Sequence, residues 1–352
     1  FTTYWDHLWR VRKGTATSGR RWQLPFTLLS DVLRTVADIP TAWASEAQHS
    51  LESWRVRKPS RVEYFSNHDS DDPYVTSVHF TGNEDVSHLG RDVLWWVTGP
   101  AKIVSTPMVH TLGKPPWDIM RTRALSTANG KERFPQVVDG DIQPVMPSVC
   151  IQAPESCEAK QTVSVFLQAL SAHMAKKPVG FDRYHITLIG HSMGAIVLND
   201  SLRNNPEFTA DVIVHMASAD SVLNTVSTLT PYLSDPRRAS THYYSLSLHP
   251  NNDDRETSAK GMAPSGSLLV WIDNMYTSPA TTLERTAGRF DNFADYVHMI
   301  PPSLIERVHF KIFGKSKTDG CDIKQRPLAI CSPQRHGDFS EAKFWDPAFY
   351  WK

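Results

Sequence analysis

Cysteine is scarce in this sequence, with four in 352 residues. Neither local pair, Cys150 with Cys157 or Cys321 with Cys331, has the short C-x-x-C spacing that favours zinc. The pairs leave open either two small disulfide loops or free, partly buried thiols. An excess of charge is missing too. Lys+Arg and Asp+Glu both number 37, so there is no basic stripe for nucleic acid and no acidic tail, and a nucleic-acid partner is not expected. The longest apolar stretches, "LPFTLLSDVL" and "DVLWWVTGPAKIV", are broken by charge or proline and fall short of the roughly twenty residues that span a bilayer. Phosphate-binding signatures are absent: "GPAKIVSTP" lacks the Lys-Ser/Thr ending, and no G-x-G-x-x-G follows a strand pattern. No H-E-x-x-H occurs, and His79, His191 and His215 read as structural histidines rather than metal ligands. The expectation is a chain with no cofactor and no metal. It begins with Phe1 rather than Met, so a targeting segment can have been trimmed and the compartment stays open between cytoplasm and secretion.

What is present centres on "HITLIGHSMGAIVLND", His185 to Asp200. Ile186 to Ile189 is a short β-branched and leucine run suited to a strand buried on both faces. Ala195, Ile196, Val197 and Leu198 continue to Leu202 with helical spacing. The chain therefore turns from strand to helix within "GHSMG", with Ser192 at the bend. A residue on so tight a turn carries a strained backbone, and Gly190 and Gly194 are expected to remove collisions with the crossing chain. The hydroxyl is left above the sheet, at a helix N-terminus whose free amides favour negative charge. The triplet Asn199-Asp200-Ser201 has the glycosylation pattern but lies on that helix, where a glycan would obstruct packing.

The chain on either side alternates strand and helix patterns. "QTVSVFLQALSAHMAKKPVG" places Val163, Phe166, Leu167, Leu170 and Met174 at one-face helical spacing and ends on lysines, Pro178 and Gly180. "DVIVHMAS" (211–218) and "THYYSLSLHP" (241–250) read as buried strands separated by a helix around "SVLNTVSTL". "ERVHFKIFG" ends a last strand at Gly314. Upstream, "YVTSVHFTG" (74–82) and "PSVCIQA" (147–153) are strand candidates. Residues 1–60 read as an N-terminal helical extension in which Phe26, Leu29, Leu33 and Val36 form one apolar face, open to docking on its own domain or to peripheral membrane or lipid contact. Residues 61–352 form the remaining domain, and the tryptophan- and proline-bearing segment within about 86–145 is too long for a simple crossover, which predicts an inserted cap or lid.

The G-x-S-x-G of Gly190, His191, Ser192, Met193 and Gly194 between a strand and a helix resembles the nucleophile elbow of the α/β-hydrolase superfamily. The resemblance covers about residues 60 to 352. It implies a mostly parallel sheet flanked by helices and the chain order nucleophile, acid, histidine. Ser192 would attack. The acid would follow the strand two after the elbow, where "NNDDRE" offers Asp253, slightly preferred, or Asp254. The histidine would follow the last strand, and His336 is the only one after His309. The oxyanion donors would be Met193 N–H and an amide at Phe80 or Thr81 in "FTGNED", although the usual His-Gly of that loop is replaced by "HFTG" and "WVTGPA" (96–101) competes.

Together these imply a cofactor-free serine esterase or lipase acting on a small-molecule or lipid ester with an apolar acyl or aryl group, through an acyl-enzyme. Two readings stay beside it: an acyltransferase using the same residues, and a binding protein that kept the fold without the chemistry.

Overall fold

A computed structural model describes residues 40, 43–44, 65, 71–81, 105–110, 113–125, 134–138, 141–145, 162–176, 184–256, 263–277, 279–314 and 333–348. Its centre is a five-stranded sheet in which every pairing is parallel. The order is β1 (Val78–Thr81), β7 (Val308–Phe313), β6 (His242–Leu248), β5 (Val212–Met216), β4 (Thr187–His191). A two-stranded antiparallel hairpin, β2 (Phe134–Val138) with β3 (Asp141–Val145), stands apart from it.

Period-two alternation sorts the strand side chains into two cores. Ile213, Tyr243, Phe310 and Ile312 point to one face and pack with Leu202, Leu229 and Leu233. Val212, Val214, Met216, Tyr244, Leu246 and Phe313 point to the other and pack with Ile196 and Trp117. Every residue of β5 is buried, as a strand covered on both faces must be. Helix α1 (Thr162–Ala175) precedes the elbow strand, α2 (Gly194–Asn204) follows it, and α3 (Val222–Ser234) links β5 to β6. A helix over 113–125 drives Trp117 and Ala124 into the second core, and its Lys114 Nζ donates to Tyr276 O at 2.8 Å.

The α/β reading of the sequence and its parallel sheet hold at this level. One strand is shorter than expected and lies elsewhere. Tyr74, Val75 and Thr76 are a helical turn, started by Pro73 and capped by Asp72, whose carboxylate accepts from Tyr74 N–H at 2.9 Å. Only Val78–Thr81 pairs, and it pairs with β7 at the edge of the sheet opposite β4. The strand expected at 147–153, all four cysteines, the loop 96–101 and nearly all of the N-terminal extension lie outside the described residues, as does much of the segment expected to form a lid.

Candidate active site

Because all five strands run the same way, the segments that leave β4, β5, β6 and β7 emerge at one edge of the sheet, where parallel α/β proteins place their ligands. The exit of β4 is a sharp one. The strand ends at His191 and α2 starts at Gly194, so Ser192 and Met193 make the whole turn. Ser192 takes φ 54°, a left-handed conformation that costs a non-glycine residue about 1–3 kcal/mol. Two hydrogen bonds hold it there. Its N–H donates to Met216 O at 2.9 Å, and its C=O accepts from Ala219 N–H at 3.0 Å, which pins the turn to the exit of β5.

Gly190 has no room for a side chain: a Cβ there would lie 2.8 Å from Ala195 N and 2.9 Å from Gly194 C and O. At Gly194 the expectation of a collision is corrected, since a Cβ would meet nothing within 4 Å. The chain crosses over Gly190 on its way into α2, and none of the described residues crosses over Gly194.

His336 reaches the elbow from β7. Gln334 Nε2 donates to Gly314 O at 3.0 Å, returning the chain to the strand end. The Asp338 carboxylate then accepts from the Gln334 and Arg335 amides at 2.9 and 3.1 Å and starts the short helical turn His336–Ser340. Phe339, fully buried against Phe313 and Phe344, anchors that turn in the core. The result is His336 Nε2 at 3.0 Å from Ser192 Oγ. The imidazole is buried and the serine half-buried. Burial, with a smaller push from His191, lowers the His336 pKa to about 3, so the ring is neutral and able to accept a proton at neutral pH.

The acid expected to orient that ring is elsewhere. Asp253 and Asp254 sit not in an open loop but in a helical turn, α4 (Pro250–Arg255), and both carboxylates are taken by Arg289. Arg289 Nε donates to Asp253 Oδ2 at 3.0 Å and its two terminal nitrogens donate to Asp254 Oδ1 at 2.7 Å and Asp273 Oδ2 at 3.1 Å. The guanidinium is 8% exposed and Asp273 is completely covered. Burial pushes the Asp253 carboxyl up to about 7 against the pull of Arg289. Neither aspartate is bonded to His336, whose Nδ1 is buried with no hydrogen-bond partner among the described residues. The assignment of Asp253, or of Asp254, as the group orienting the imidazole is therefore corrected: a buried arginine outcompetes a neutral imidazole for these carboxylates.

The carboxylate that does touch His336 is Glu256, which the sequence reading passed over. Its Oε2 accepts from the His336 main-chain N–H at 2.9 Å. On the other side of the same residue, His191 Nε2 lies 3.2 Å from His336 O, an N–H donating to a carbonyl, with the two rings 5.2 Å apart. Burial raises the Glu256 pKa, partly offset by that hydrogen bond. The available signal was the run "NNDDRE" itself, which ends on Glu256.

Met193 N–H, first amide after the serine and beside the N-terminus of α2, has no acceptor among the described residues. An open amide at a helix N-terminus favours negative charge beside Ser192. The second donors expected, Phe80 and Thr81, are corrected by the strand order. β1 and β4 are opposite edges of the sheet, four inter-strand steps or roughly 19 Å apart at the usual spacing. Thr81 is engaged locally as well, its C=O accepting from Gly314 N–H at 2.6 Å. Phe80 packs edge-on against Phe290 with 5.5 Å between ring centres.

Among the described residues no group of three His, Cys, Asp or Glu could hold a metal ion, and no helix is long and apolar enough to cross a membrane. His215 is completely buried, with Nδ1 3.2 Å from the Tyr243 hydroxyl, and burial lowers its pKa to about 3. The chain is thus an α/β protein with an all-parallel sheet and a serine and a histidine in hydrogen-bond contact at its carboxyl edge. Compared with protein-family models, curated proteins and solved structures, it matches none.

Proposed function

We propose that this protein is a serine hydrolase of the α/β-hydrolase kind, cleaving carboxylic esters through an acyl-enzyme. The observation that carries the reading is the 3.0 Å contact between Ser192 Oγ and His336 Nε2 at a serine held in a left-handed turn ahead of a helix. A serine hydroxyl is a weak nucleophile near neutral pH until a base takes its proton, and that contact supplies the base. In the proposed reaction His336 Nε2 accepts the Ser192 proton as Oγ bonds to the ester carbon. The carbonyl oxygen gains the charge, and Met193 N–H donates to it. Collapse breaks the bond to the alkoxy group, which leaves with the proton held by His336. Water then repeats the sequence on the acyl-enzyme and releases the acid.

The substrate proposed is a small-molecule or lipid ester with an apolar acyl or aryl group, and no cofactor enters any step. A fluorophosphonate probe followed by peptide mass mapping tests the reading. Stoichiometric label on Ser192, lost in Ser192→Ala and in His336→Ala, is expected. A folded protein whose serine stays unlabelled refutes it.

A further inference from the structure

The unusual feature of this site is how its histidine is held. An imidazole acting as base has to be fixed in one orientation, and the common device is a carboxylate on the ring nitrogen that does not face the nucleophile. Here that nitrogen, Nδ1, is buried and has no partner among the described residues. The backbone of the same residue is gripped on both sides instead: Glu256 Oε2 accepts from His336 N–H at 2.9 Å, and His191 Nε2–H donates to His336 C=O at 3.2 Å. The turn that follows is closed by Asp338 and anchored by the fully buried Phe339, so the peptide plane of His336 has little freedom left. The His191 ring, lying against the His336 ring, also blocks one side of its swing.

We infer that Glu256 and His191 are positioning residues that clamp His336 through its main chain, and that Glu256 serves as a hydrogen-bond acceptor rather than as the counter-charge of the imidazolium. The inference rests on the reading of Ser192 and His336 as nucleophile and base, and it makes a distinctive demand. What Glu256 supplies to a backbone N–H is an oxygen lone pair, and an amide oxygen supplies one too. A counter-charge on the ring cannot be replaced that way: exchanging such a carboxylate for its amide lowers turnover about 10⁴-fold.

The test compares Glu256→Gln, Glu256→Ala and His191→Ala with the wild-type protein by fluorophosphonate labelling rate and by kcat and KM on an activated aryl ester. Glu256→Gln is expected within about tenfold of wild type in kcat. Glu256→Ala should lose about 100-fold, the scale of a base misplaced by about 1 Å. His191→Ala should fall between them, with KM little changed in all three. A Glu256→Gln loss equal to that of Glu256→Ala overturns the clamp. NMR of the histidine rings, with the His336 signal assigned by its loss in His336→Gln, answers independently of turnover. Unchanged His336 ring-nitrogen shifts at pH 7 in Glu256→Gln support the clamp, and a changed Nδ1 shift or a switch of tautomer shows the carboxylate acting on the ring and overturns it. Should the wild-type protein prove unreactive, the function reading fails on the labelling alone, while the ring-nitrogen shifts at pH 7 still decide how His336 is held.

Discussion

Gly190 and Gly194 flank Ser192 symmetrically in sequence, and the structure predicts that replacing them has opposite consequences. An alanine at 190 brings a methyl within 2.8 Å of Ala195 N and 2.9 Å of Gly194 C and O. These are backbone atoms, so no side chain can swing aside. Either β4 or the first turn of α2 must move, and overpacking of this kind costs about 1–3 kcal/mol. The movement falls on a turn already holding Ser192 at φ 54° by two backbone hydrogen bonds, so the hydroxyl should also leave its position on His336. An alanine at 194 meets nothing within 4 Å, and the residue has no positive φ to preserve. In the first turn of a helix it should be neutral or stabilising by up to about 1 kcal/mol, through a less flexible unfolded chain. Urea denaturation gives the stability of each variant, and fluorophosphonate labelling gives the geometry of the turn. The expected result is a destabilised, slowly labelled Gly190→Ala beside a Gly194→Ala that labels like wild type. Equal damage at both positions would refute the reasoning, because it would mean that the space seen above residue 194 does not exist.

Arg289→Ala strands three carboxylates beside one another with no cation, and should cost about 3–5 kcal/mol in urea denaturation; a loss under about 1 kcal/mol would show that the cluster is not buried as a charged unit. Asp253→Asn should leave the labelling rate of Ser192 within a few-fold of wild type, since Asp253 does not touch His336, and a loss near 10⁴-fold would return it to the role of orienting acid. His215 and His336 both have folded pKa values lowered by burial to about 3, so each binds its proton more weakly folded than unfolded. The stability that follows is present above the unfolded value near 6.5 and is lost as pH falls towards 3. By pH 5 each should cost about 2 kcal/mol, visible as a lower urea midpoint than at pH 7, and a midpoint that does not fall on acidification would contradict it.

The fold was legible where a strand carries its own pattern. Val212 to Met216 is an apolar run interrupted only by His215, and it becomes a strand covered on both faces. Val308, Phe310 and Ile312 alternate with His309 and Lys311, and β7 follows that alternation, the apolar set entering the first core. "YVTSVHFTG" misled because its β-branched residues mask a helix start. Asp72-Pro73 caps a turn before the strand begins, and a cap depends on one side chain meeting one amide rather than on any period. Strand order was not legible at all. Nothing local in Val78–Thr81 says that it pairs with a strand 230 residues later, Val78 opposite Phe310 and Thr81 opposite Phe313, and that pairing is what removes Phe80 and Thr81 from the vicinity of Ser192.

The site divides along the same line. Ser192 is visible in sequence because the turn that exposes it needs Gly190 beside it, a local requirement that leaves a local mark. His336 is singled out because so few histidines remain beyond β7, and the structure brings its Nε2 to Ser192 Oγ. The choice among Asp253, Asp254 and Glu256 left no such mark, since three acids within four positions are equivalent until their partners are known. What separates them is Arg289, more than thirty residues away, which captures the first two and leaves Glu256 to the backbone of His336. A carboxylate near neutral pH goes first to the strongest donor it can reach, and a buried guanidinium is stronger than an imidazole N–H. Assigning an acid from chain order alone therefore needs a second step, a search for the arginine that claims it first.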